Sequence, residues 1–90
     1  MDQDKLRDQA DRGADAEHIK NHPLVKKTFE DMEAQIEKAW KSSGPDDQEI
    51  RERAFLMHRL LKNFQQFFIV TIANGEAAHN ELLSITKEDE

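Results

Sequence analysis

The sequence predicts an all-α fold: an antiparallel helical hairpin with a long second helix, completed by oligomerisation. Three observations predict it. Glu, Lys, Leu, Ala and Gln are plentiful while the chain holds only three glycines and two prolines, a mixture that favours helices. Two stretches carry apolar residues at alternating steps of three and four, the period of one helix face. The row "FFIVTIAN", residues 67–74, then puts more apolar surface on the second stretch than a two-helix fold can cover.

Size explains why oligomerisation belongs to the fold. Ninety residues form one small domain, whose lone core supplies only a few kcal/mol of net stability. Small folds compensate with disulfides, metals or partner chains. The chain has no cysteine, which removes disulfides and thiolate zinc sites. The formal net charge is −6, so the chain as a whole is repelled by nucleic acid and anionic membranes. No apolar run nears the roughly 18–20 residues that span a bilayer. The opening "MDQDKLRDQ" is acidic and polar, unlike a secretory signal. A cytoplasmic location is expected.

Residues 1–12 hold one large apolar side chain, Leu6. Over 1–20, six acids stand against four bases. Such a segment buries little to offset its ordering entropy, and it is expected to be frayed or disordered. Gly13 punctuates it. The interaction domain is expected over 13–86, beginning with two weak helical turns in "ADAEHIKN".

The first long helix follows, over about 23–42. Pro23 suits a first helical turn, with Asn21 or His22 as cap. Val25, Phe29, Met32, Ile36 and Ala39 or Trp40 make its apolar stripe. Ser42, Ser43, Gly44 and Pro45 stop it. The second helix opens at Asp46, read as a cap with Glu49 three residues on. Ile50, Ala54, Met57, Leu61, Phe64 and Phe68 form one row, and Leu56, Leu60 and Phe67 a second beside it. Together they span about 160° of the helix, broader than a two-stranded coiled-coil seam and suited to two neighbours.

The helix to about residue 42 is roughly 30 Å long, and one from 46 to 86 roughly 60 Å. The hairpin partner therefore ends near residue 66, where the apolar row begins. Phe67, Phe68, Ile69, Val70 and Ile72, with Leu82 and Leu83 further on, are read as an interface covered by other copies or by a partner protein. A β-strand over "FFIVTIA" is the rival reading, supported by its β-branched residues and the Asn74-Gly75 turn signal. A single strand would have nothing to pair with. Gly75 is read as a kink or an end of the helix, and residues 87–90 as an acidic tail.

No catalytic, cofactor or metal site is expected. His18 and His22 have a metal-helix spacing, but Pro23 follows at once and no carboxylate completes a set. His58 lies at the edge of the apolar stripe, and His79 has nothing to orient it as a base. The acid pairs suit caps and a solvated helix face. Arg51, Arg53, Arg59, Lys62, Lys26 and Lys27 form a basic cluster interleaved with Glu49 and Glu52, which reads as salt-bridged helix surface rather than a nucleic-acid site.

Residues 12–83 resemble a family of small tailed-phage proteins encoded among head-assembly and packaging genes. The matching features are "HPL" with an aromatic five residues on from Leu24 (Pro23, Leu24, Phe29), "AW" closing that helix (Ala39, Trp40), Asp47 with Glu49 opening the next, and "NG" before a short apolar end (Asn74, Gly75, Leu82). Members mostly have no assigned activity, so the resemblance implies a viral context rather than a chemistry. The expected function is that of a non-enzymatic oligomeric interaction protein in phage head morphogenesis, located in the host cytoplasm or the virion. Its partners would be copies of itself, or another phage or host protein. Two alternatives stay open: a packaging factor similar to small terminase subunits, and a phage-encoded inhibitor of a host protein.

Overall fold

The structure, a computed structural model, describes residues 2–88. Three helices occupy them, α1 (Gln3–Asn21), α2 (Pro23–Ser42) and α3 (Gln48–Glu88), and no strand occurs among the described residues. The chain is all-α, and "FFIVTIAN" is helical. Two compact units are formed, one by His22–Gln65 and the other by α1 with the remainder of α3.

In the first unit α2 and the first half of α3 pack antiparallel. Phe29 meets Phe64, with ring centroids 5.8 Å apart at 54°. Glu33, a turn later, meets Lys62. Beyond α2's end, Arg51 donates to the Gly44 carbonyl at 2.7 Å and to that of Pro45 at 3.3 Å, fastening the loop to α3. Ile36, Ala54 and Leu61 are buried between the helices, with Phe29 and Ala39 packed against them.

Local chemistry sets the helix ends. His22 is extended, as a residue before proline prefers, and its Nδ1 accepts the Leu24 N–H at 3.1 Å, capping α2. Ser43 closes α2, its N–H and hydroxyl both donating to the Trp40 carbonyl. α3 begins at Gln48 rather than at Asp46. Asp47 holds the cap position, where its carbonyl accepts the Arg51 N–H and its carboxylate accepts the Gly44 N–H at 2.9 Å.

In the second unit the N-terminal segment departs from the frayed state expected of residues 1–12. Asp2 caps α1 by accepting the Asp4 N–H, and Leu6, Gly13 and Ala16 are buried. Gly13 lies against the backbone of Thr71 and Gly75, and Gly75 against that of Gln9 and Gly13. α3 runs through Gly75 without ending and continues to Glu88, two residues into the expected acidic tail. Residues 89–90 of that tail lie outside the described residues.

Candidate interaction surface

The residues expected to form an interface divide into two groups. Phe68, Ile72 and Leu82 are half-buried. Their spacing places them on the side of α3 that carries Gly75 and Ala78, both buried in the unit that α1 shares. Phe67 is 76% exposed, and Ile69, Val70 and Leu83 are about half exposed. The N-terminal segment, too polar to cover the whole stretch, covers part of it as α1. Small residues let its backbone approach α3 closely, so a polar helix covers part of the row.

The first unit exposes more apolar surface than its sequence suggested. Met57 and Phe64 belong to the expected core row, yet both are more than half exposed, as are Leu56 and Leu60 from the second row. Ala54 and Leu61, from the same expected row, are the members that the core takes. On α2, Ala39 packs inward while Trp40 is half exposed. Trp40 lines an open groove of about 550 Å³ with Ile36, Ala54, Phe55 and His58.

The polar groups of this unit are structural in their geometry. Glu33 Oε1 accepts from Lys62 Nζ at 3.1 Å and from Gln65 Nε2 at 3.3 Å. These donors, Lys62 first, hold its carboxyl below the usual carboxylate range. Hydrogen bonds to Asp31 and Glu37 raise the Lys27 and Lys41 ammonium groups above theirs. His58 lines the groove beside Glu33 and Lys62. His22 is engaged as a cap through Nδ1.

Among the described residues no helix is long and apolar enough to cross a membrane. Helices and exposed apolar rows define the chain as an all-α protein with a large apolar surface on one long helix. Comparison with family models, curated proteins and solved structures finds no match.

Proposed function

We propose that this chain is a non-enzymatic, oligomeric helical interaction protein working in the head morphogenesis or assembly of a tailed bacteriophage. One observation carries the interaction reading. In a chain with 36% charged residues, α3 exposes Ile50, Phe55, Leu56, Met57, Leu60, Phe64, Phe67, Ile69, Val70 and Leu83 by 45% or more each. Scattered exposed apolar residues are ordinary, but so many on one helix mark an association surface. The phage context is supported by the resemblance carried by Pro23, Leu24, Phe29, Ala39, Trp40, Asn74 and Gly75.

Light scattering tests the association. The expected solution mass is a multiple of the 10.5 kDa chain, with a melting temperature that rises with concentration. Substituting Phe67→Glu together with Val70→Lys should lower the mass toward one chain without loss of helix. For the assembly role, removing the gene from its phage should stop filled heads from forming while early replication proceeds. A normal yield of filled heads would refute that role.

A further inference from the structure

We propose that two copies of this chain pair antiparallel through the first half of α3, along the row Ile50, Arg53, Met57, Leu60 and Phe64. The proposal rests on the self-association reading above and names its geometry. The row steps by three, four, three and four, and the same step runs on in sequence to Phe67. That is the a/d spacing of a coiled-coil seam. Ala54 and Leu61, the α3 residues buried against α2, follow Ile50 and Met57 by four. One strip of α3 is therefore taken by its own hairpin. The neighbouring strip keeps the same repeat, with its apolar members 46% to 67% exposed. Phe64 touches the Phe29 ring and still belongs to the exposed strip.

The repeat identifies the occupant. A seam of this kind is filled by knobs from a helix with the matching period. The apolar row of α2 already packs on the Ala54 strip, and α1 carries only Leu6 and Ile19 as large apolar residues. A second α3 has the required spacing.

Charge fixes the direction. Arg53 is the one charged residue of the row. A parallel, in-register pair would bring Arg53 of both copies together, and each guanidinium, paired with Glu49 on its own helix at 3.0 Å, would leave water beside its like. An antiparallel pair, centred between residues 57 and 60, sets Met57 against Leu60 of the second copy and Arg53 against its Phe64. There the guanidinium meets an aromatic ring, which attracts a cation. The same register brings Ile50 to Phe67 of the second copy.

Area sets the strength. Ile50, Met57, Leu60, Phe64 and Phe67, the apolar residues that this register sets in the seam, are 46% to 76% exposed. Five side chains from each copy make a small seam, at or below the roughly 1,000 Å² that a specific interface clears. A reversible, concentration-dependent dimer is the result expected.

Disulfide trapping tests the register, since the chain has no cysteine of its own. Full-length Ile50→Cys and Phe67→Cys chains, carrying different tags, are oxidised separately and then as a mixture. The antiparallel register gives the mixed disulfide alone. It holds two copies of residue 50 about 25 Å apart along the helix, far beyond disulfide reach. Self-linked Ile50→Cys chains would instead show a parallel pair and overturn the proposal. In a second arm, Leu60→Glu should raise the dimer dissociation constant by about 100-fold or more while helix content stays unchanged. A wild-type oligomer that Leu60→Glu does not loosen would refute this seam and leave self-association standing. A wild-type chain that is monomeric at all concentrations would overturn both.

Discussion

Gly13 and Gly75 show how much one missing methyl group decides. A Cβ on Gly75 would stand 2.6 Å from Gly13 Cα and 2.9 Å from the Gln9 carbonyl oxygen; one on Gly13 would stand 2.7 Å from Gly75 Cα. These are backbone atoms, so relief requires the helices to separate. In an open helix, Gly→Ala stabilises by about 1 kcal/mol. Here overpacking should reverse the sign, and Gly75→Ala is expected to destabilise by about 1–3 kcal/mol. Gly44→Ala is the control, because a Cβ there meets only the flexible Asp47 carboxylate at 3.5 Å, and a change below about 0.5 kcal/mol is expected. Thermal melts of both variants decide the matter, and a stabilised Gly75→Ala chain would show that the helices do not meet this closely. From sequence, both helical glycines read as punctuation. Glycine signals either backbone freedom or room for a neighbour, and only the neighbour tells which. The available clue was the pairing of glycine with alanine three residues on, Gly13 with Ala16 and Gly75 with Ala78. It marks one small-residue strip on each helix.

At the scale of elements, α2 and the first half of α3 were legible because period, stop signals and loop length all agreed. Phe29 and Ile36 pack against Ala54 and Leu61 as that pattern implies. Phe29→Ala should therefore cost about 2–3 kcal/mol, less than a fully buried phenylalanine because Phe29 is only half-buried. Chemical denaturation would measure it, and an unchanged midpoint would mean that Phe29 lies outside the core. The choice between Ala39 and Trp40 stayed open for a geometric reason. At 3.6 residues per turn, Ala39 and Trp40 both fall near the stripe, and the structure turns Ala39 inward. The first half of α1 was missed, and its second half read as only two weak turns, because composition undervalues a helix with few apolar residues. Leu6, only 1% exposed, and the close approach at Gly13 anchor a segment whose charges otherwise read as disorder. The extent of exposure on α3 was hidden as well, because a broad apolar face does not reveal which strip the hairpin takes.

At the scale of the whole molecule, the arrangement of charge matters more than its sum. Among the described residues, Arg7, Arg12, Lys27, Lys41 and Arg53 each pair with a carboxylate three or four residues away on the same helix. Lys62 pairs with Glu33 across the hairpin. These side chains are exposed, so each pair adds little to stability. Together they still shape the surface field. Four of the six cations in the expected basic cluster are engaged: Lys27, Arg53 and Lys62 by carboxylates, and Arg51 by loop carbonyls. A phosphate approaching such a cation also approaches its acid, and the net charge of −6 opposes the approach from a distance. DNA affinity comes largely from counterions released as unpaired Lys and Arg neutralise phosphates. An acid beside three of the six cations reduces that gain. Duplex DNA titrated at physiological salt should therefore bind more weakly than about 10⁻⁴ M, the upper end of the non-specific range. Fluorescence anisotropy over a salt series would check this. A micromolar complex whose affinity falls steeply as salt rises would mean that several cations leave their carboxylates for phosphate, and a packaging role would then displace the assembly role.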